Sequence, residues 1–167
     1  MTTPTQQLSY VCGSTTQPLL YRCVGDVLRH AAERWPEHDA LVVRHQDTRL
    51  TYRELDHLVS RLALALIACG LKAGDRLGIW SPNRLEWVLA QFASARAGIV
   101  LVNINPAYRL AELEFALRKV GCRALLLAPA FKSSDYIGMV RTLLAESAFQ
   151  GGGRVGCAAL PELDRFH

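Results

Sequence analysis

An α/β fold, with a mostly parallel sheet and helices on both faces, is what this sequence predicts, and three observations carry it. Residues 76–80, 99–103 and the stretch "CRALLLA" (122–128) are short and almost wholly apolar, as strands buried on both faces are. Between them, 85–97 and the stripe Leu110, Leu113, Leu117 and Val120 carry apolar residues at helical spacing. Gly70 and Gly121 stand where helix C-termini favour a residue free to take positive φ. Parallel neighbours need crossover connections, and right-handed helical crossovers cover the sheet.

The remaining elements follow in chain order. Residues 1–20, rich in Thr, Gln, Ser and Pro, read as a mobile arm pinned by Leu8, Tyr10 and Val11. From Arg22, the residues Val24, Val27, Leu28, Ala31 and Ala32 mark an amphipathic helix that Trp35-Pro36 ends. "ALVVRHQDTRLT" reads as a hairpin of strands 40–44 and 49–51. Thr51 and Glu54 form a T-x-x-E capping box for a helix whose core face is Leu55, Leu58, Val59, Leu62 and Leu66. After Ala128, Ser133 or Ser134 caps a helix through Tyr136, Ile137, Val140, Leu143 and Leu144. The Gly-rich tail promises no further strand. The expected division is an arm over 1–20, an α/β unit over 21–145 and an irregular tail over 146–167.

Composition excludes several function classes. Half of the 167 residues are hydrophobic, enough for one domain core, and the net charge of +4 comes from 19 basic and 15 acidic residues. These are scattered, with no basic stripe for nucleic acid. Cys12, Cys23, Cys69, Cys122 and Cys157 lack C-x-x-C spacing and read as reduced, mostly buried thiols. No apolar run approaches the roughly 18 residues of a membrane span. The first charged residue is Arg22, neither secretory nor transit features precede it, and a cytoplasmic protein is expected. His30, His38, His45, His57 and His167 make no metal-ligand spacing and are expected at the surface.

Ligands of such sheets bind where strands turn into helices, which singles out "SPNRLEW", "NINPAYRLAEL" and "APAFKSSDY". In the first, Asn83 is expected to cap a helix and Glu86 to close the box. In the second, Asn103 and Asn105 bond neighbouring amides and tolerate unusual φ, while Pro106 holds the residues before it extended. Tyr108 and Arg109 read either as ligand contacts or as an aromatic plug and a solvated guanidinium. Lys132, Ser133, Ser134 and Asp135 read as a polar ligand edge or as an ordinary helix start. Neither G-x-x-x-x-G-K-[ST], G-x-G-x-x-G nor G-x-S-x-G occurs. "CGSTTQP" (12–18) has residues of phosphate-loop type but no strand before it, and "GGGR" (151–154) reads as a linker. No residue is assigned as catalytic, cofactor-binding or metal-binding.

In order and spacing, "RLTYREL" (49–55), "GLKAGDRLGIWSPNRLEWVLAQFA" (70–93) and "AGIVLVNINPAYRLAELEFALRKVGCRAL" (97–125) resemble the N-terminal part of adenylate-forming (AMP-binding) acyl-CoA synthetases. The resemblance is closest to medium-chain fatty-acid CoA ligases, of the acyl-CoA synthetase family member two type, and "LSYVCG" and "LPEL" extend it over almost the whole chain. It implies an incomplete, N-terminal part of the synthetase fold. For the complete enzyme it implies ATP, Mg and CoA, and conversion of a fatty acid to acyl-CoA with release of AMP and pyrophosphate. Thr51, Tyr52, Glu54 and Leu55 correspond to an early core motif of the family, and Asn103, Asn105, Pro106 and Tyr108 to its strand-exit motif, with no catalytic role.

The family's phosphate loop ending in Pro-Lys-Gly, its Tyr-Gly-x-Thr-Glu segment, its ribose-binding aspartate and its catalytic lysine have no counterpart here. The expectation is a fragment, from truncation, a shifted frame or a split gene, that is inactive alone and exposes apolar surface. It would be completed by a complementing synthetase chain or associate as a homo-oligomer. The alternative is a stand-alone noncatalytic binding or subunit-interaction module. A Rossmann-type nucleotide enzyme is disfavoured because the glycine fingerprint is missing.

Overall fold

The computed structural model describes residues 12–14, 16–144, 149–150, 154–155, 160–163 and 165–166. Of the expected arm, 12–14 and 16–20 are exposed and form no helix or strand, while Leu8, Tyr10 and Val11 lie outside the described residues. So do Gly151 to Gly153, Cys157 and His167.

The chain begins with helix α1 (Val24–Arg34), then the antiparallel hairpin β1 (Asp39–Val43) and β2 (Thr48–Thr51). A 3-10 turn over Arg44–Gln46 joins the two strands. Helix α2 (Tyr52–Ala68) starts from the expected capping box: Glu54 N–H donates to Thr51 Oγ1 at 3.3 Å, and Thr51 N–H donates to Glu54 Oε2 at 2.8 Å. The hydrogen bond from the Thr51 backbone holds the Glu54 carboxyl below its ordinary range. Gly70 follows with φ +93°, as its position requires.

Next come β3 (Arg76–Trp80), α3 (Leu85–Arg96), β4 (Val100–Ile104), α4 (Leu110–Val120) and β5 (Ala124–Leu127). Gly121 closes α4 in the left-handed region, φ 64°. A small antiparallel pair, β6 (Ala130–Phe131) and β7 (Ser134–Asp135), precedes α5 (Tyr136–Leu144).

The tail corrects an expectation. Three two-residue strands, β8 (Phe149–Gln150), β9 (Arg154–Val155) and β10 (Arg165–Phe166), extend the sheet, whose order is β4-β3-β5-β10-β9-β8. β10 pairs parallel with β5, while β8 and β9 run antiparallel. Two residues carry no period, so pairing partners rather than sequence pattern define these strands.

β3 lies between β4 and β5 and is parallel to both. Leu77 packs on one face with Leu28, Leu55, Val59 and Ala93, from α1, α2 and α3. Trp80 packs on the other with Leu113, Leu117, Val140 and Leu144, from α4 and α5. The alternation is that of a strand with two buried faces. Gly78 keeps the second face low: a Cβ there would stand 3.1 Å from Leu125 Cδ1 and 3.2 Å from Ile104 Cδ1.

α1 departs from its expected stripe. Leu28 and Gly25 are buried, but Val24 is 51% exposed and Val27 46%. Gly25 brings α1 so close to α3 that its absent Cβ would lie 3.0 Å from Arg96 Cα. The contact turns the helix onto its glycine face and leaves two valines outside.

Arg96 joins all three helices of that layer. It donates to Asp56 Oδ1 at 2.5 Å, to Ser60 Oγ at 2.5 Å and to the Gly25 carbonyl at 3.3 Å. The Arg96 and Asp56 side chains are only 12% and 25% exposed, so removing one leaves the other poorly solvated. Asp56→Ala is expected to destabilise the chain by about 2 kcal/mol, below the value for a fully buried pair, read from the urea unfolding midpoint.

Candidate functional site

The site is set by where the strands end. Trp80, Ile104 and Leu127 are in register, so β3, β4 and β5 finish at one edge of the sheet. The chain leaves β3 for α3 on one face, and leaves β4 and β5 for α4 and α5 on the other. Such a divergence opens a crevice beyond the carboxyl ends of the strands.

Two cavities occupy this crevice and share Ser81. One, of about 630 Å³, lies between the exits of β3 and β4; Asn83, Asn103, Asn105 and Trp87 contribute to its lining. The other, of about 340 Å³, lies between β3 and β5; it has an apolar wall of Leu62, Ile79, Leu89 and Leu126, with Arg84 and Glu86 among its lining. Ser81 is buried and its hydroxyl donates to the Pro82 carbonyl at 2.9 Å, which leaves it in a turn rather than beside a base.

The turn after β4 is held from beneath by two stacked aromatic rings. Trp80 and Tyr136 lie with centroids 3.7 Å apart and planes 15° from parallel. Trp80 Nε1 donates to the Asn105 carbonyl at 3.1 Å, and the Tyr136 hydroxyl to the Pro106 carbonyl at 2.5 Å. Burial pushes the Tyr136 phenol up from its ordinary pKa, keeping it a donor. Asn105 Oδ1 accepts the Ala107 N–H at 2.9 Å, closing the turn as expected. Neither Asn103 nor Asn105 takes positive φ; Lys132 does, at +52°, in the tight β6–β7 turn.

Several expectations change at this edge. Asn83 does not cap α3: Arg84 is the N-cap, without a side-chain bond, and the Leu85 N–H goes to Gln46 Oε1 at 2.7 Å. Gln46 Nε2 donates in turn to Glu86 Oε2 at 3.0 Å. The cap thus comes from the hairpin, 39 residues upstream. Partial burial works to raise the Glu86 pKa, but hydrogen bonds from Arg84, its own backbone and Gln46, with the charge of Arg84, outweigh it and hold the carboxyl below its ordinary range.

Arg109 is not simply solvated, because it donates to Ser134 Oγ at 2.8 Å and ties the β4 exit to β7. Asp135, rather than either serine, accepts the Gly138 N–H of α5, at 3.0 Å. Tyr108 lies half-exposed beside Val102 and Phe115, in a groove between β4 and α4. His30, His38, His45 and His57 are all exposed, as expected, but of the described cysteines only Cys122 is buried: Cys69 is half-buried, and Cys12 and Cys23 are exposed because they precede α1 and pack against no strand.

The chemistry of this lining does not fit a magnesium–nucleotide triphosphate. The larger cavity has no cationic side chain among its described lining, and Arg84 in the smaller one pairs with Glu86 at 3.2 Å. Among the described residues no three His, Cys, Asp or Glu side chains gather to hold a metal. Cys122 is equally unsuited to attack: burial raises its thiol to about 11 despite the nearby Arg76 charge. What the edge offers is a shaped, mostly apolar crevice on a rigid turn.

A family profile described as "AMP-binding enzyme" matches residues 28–151. The medium-chain acyl-CoA ligase ACSF2, mitochondrial, of Homo sapiens is 44% identical over 163 residues, 98% of this chain and 26% of its own length. Its counterpart in Danio rerio is 45% identical over 160 residues, again 26% of that protein. The chain therefore spans about a quarter of these curated relatives. Among solved structures, the N-terminal domain of FACL13 from Mycobacterium tuberculosis superposes with a TM-score of 0.72 at 25% identity, covering 87% of this chain and 33% of that one. An anthranilate CoA ligase, AuaEII, shares the fold alone, with a TM-score of 0.71 at 21% identity over 89% of this chain and 25% of its own.

Tyr136→Phe keeps the stacked ring and deletes the bond to Pro106. It is expected to lower stability by about 1 kcal/mol and to speed amide exchange at Ala107 and Tyr108, while the amides of β3 keep their protection. Hydrogen exchange resolved by residue reads both effects.

Proposed function

The chain belongs to the AMP-binding enzyme family, and from that premise we propose that it is the N-terminal scaffold part of a medium-chain fatty-acid CoA ligase. In the complete reaction a fatty carboxylate attacks the α-phosphorus of ATP to give an acyl-adenylate with loss of pyrophosphate, and the acyl group then passes to the CoA thiol with loss of AMP. The observation that carries the reading is the 44% identity to a medium-chain acyl-CoA ligase along nearly the whole chain. In this reading the residues described here supply shape rather than chemistry, and none of them is catalytic. Trp80 and Tyr136 fix the β4 exit, Gln46 fixes the start of α3, and the crevice between them is walled by apolar side chains.

ATP, Mg and CoA are then held by residues that these 167 do not include, because the phosphate loop and catalytic-lysine motifs are not among them. A complementing synthetase chain, or a second copy, completes the enzyme, and the arm over 1–20 and the unit over 21–145 remain its working division. A cytoplasmic location belongs to the same proposal; the vertebrate relatives carry mitochondrial names, and cell fractionation separates the two.

Supplied with ATP, Mg, CoA and a medium-chain fatty acid, the isolated 167-residue chain is expected to form neither acyl-adenylate nor acyl-CoA. Mass-spectrometric detection of either product above the protein-free control contradicts the proposal.

A further inference from the structure

The outward face of α1 and the residues leading into it make an apolar surface that the sheet does not use. Leu20 is 75% exposed and Tyr21 96%, and Leu19, Val24, Val27 and Trp35 are also open to solvent. Together they hold six of the thirteen large apolar side chains exposed among the described residues, within 17 positions. Leu20, Val27 and Trp35 line a groove of about 610 Å³, with Arg22 and Arg34 beside them. The Arg34 guanidinium lies over the Trp35 ring, 5.0 Å from its centroid.

The charges are arranged for an anion. Arg29 is paired with Asp26 at 3.4 Å, and Glu33, the acidic residue of the groove, has its Oε2 3.3 Å from His30 Nδ1. Among the described residues, Arg22 and Arg34 have no acidic partner within 4.0 Å. The chain as a whole carries +4. An apolar helix face edged by Trp and Tyr, with long guanidinium side chains able to reach outward, is the chemistry of a helix lying in a membrane interface. A second copy of the chain is the competing occupant, and it is distinguished by whether the chain dimerises through this face without lipid. No helix among the described residues is long and apolar enough to cross a membrane, so the contact concerns the surface.

We infer that α1, with Leu19, Leu20 and Tyr21, docks the chain on an anionic lipid bilayer, the apolar side chains entering the interface while Arg22 and Arg34 meet lipid phosphates. A fatty-acid substrate of the proposed ligase partitions into the same surface, but the docking stands on this face alone and is measured without ATP, CoA or fatty acid. Its failure therefore leaves the ligase reading untouched, and the reverse also holds.

The test is co-sedimentation of the full 167-residue chain with vesicles of phosphatidylcholine, alone or mixed equally with phosphatidylglycerol. Binding is expected to the mixed vesicles and to weaken with added salt. The exposed double substitution Leu20→Ser/Val27→Ser is expected to lower the partition coefficient by about tenfold or more, with the circular dichroism spectrum unchanged. Arg22→Gln/Arg34→Gln is expected to lower it by about tenfold and to flatten the salt dependence. Phe115→Ser, on the separate exposed groove of α4, leaves it unchanged. As a reading on the unaltered fold, mixed vesicles shift tryptophan emission to the blue, and Trp35→Phe removes the shift. Four outcomes overturn the inference: no binding to mixed vesicles, equal binding to phosphatidylcholine alone, loss of binding with Phe115→Ser, or a lipid-free dimer that Leu20→Ser/Val27→Ser dissociates.

Discussion

β3 is hydrogen-bonded to a parallel neighbour along each edge and covered by helices on each face, and the other elements take their places from that burial. A strand so enclosed cannot carry a charge in its middle, and Leu77, Gly78, Ile79 and Trp80 are all buried. Its two faces divide the helices into a layer of α1, α2 and α3 and a layer of α4 and α5. The division forces the chain to leave neighbouring strands in opposite directions. The crevice at the sheet edge is a consequence of this topology before any side chain is placed in it.

Trp80, the last residue of β3, links the core to that edge. Its ring fills the α4–α5 layer, while its indole N–H holds the Asn105 carbonyl. Tyr136 repeats the arrangement from the first turn of α5, stacking on Trp80 and holding Pro106. Two carbonyls of the turn are thereby held by side chains rooted in the core. Such preorganised backbone suits a surface on which further protein or substrate is to be placed.

How much of this was legible in the sequence depended on distance along the chain. Thr51 with Glu54, Gly70 and Gly121 act within a few residues of their own positions, and each does what its spacing suggests. The apolar strands are equally legible because burial on both faces leaves a compositional mark. Gln46 could not be read as the cap of α3, since only the folded hairpin brings it to Leu85. Tyr136 read as one more apolar residue on a helical stripe, and only the folded chain shows its hydroxyl anchoring Pro106. The face of α1 was misread for a related reason: Val24 and Val27 have helical spacing, yet Gly25 decides which side approaches α3. β8, β9 and β10 are too short to leave any period.

If the chain is the scaffold part of a ligase, as proposed, it is interchangeable with the matching part of a working one. Exchange tests it most directly: the segment of the human relative that matches this chain, 26% of that protein, is replaced by these residues, and acyl-CoA formation from a medium-chain fatty acid is measured. The expected product is a folded chimera that makes medium-chain acyl-CoA. A chimera that folds and binds ATP yet forms neither adenylate nor thioester would contradict the proposal.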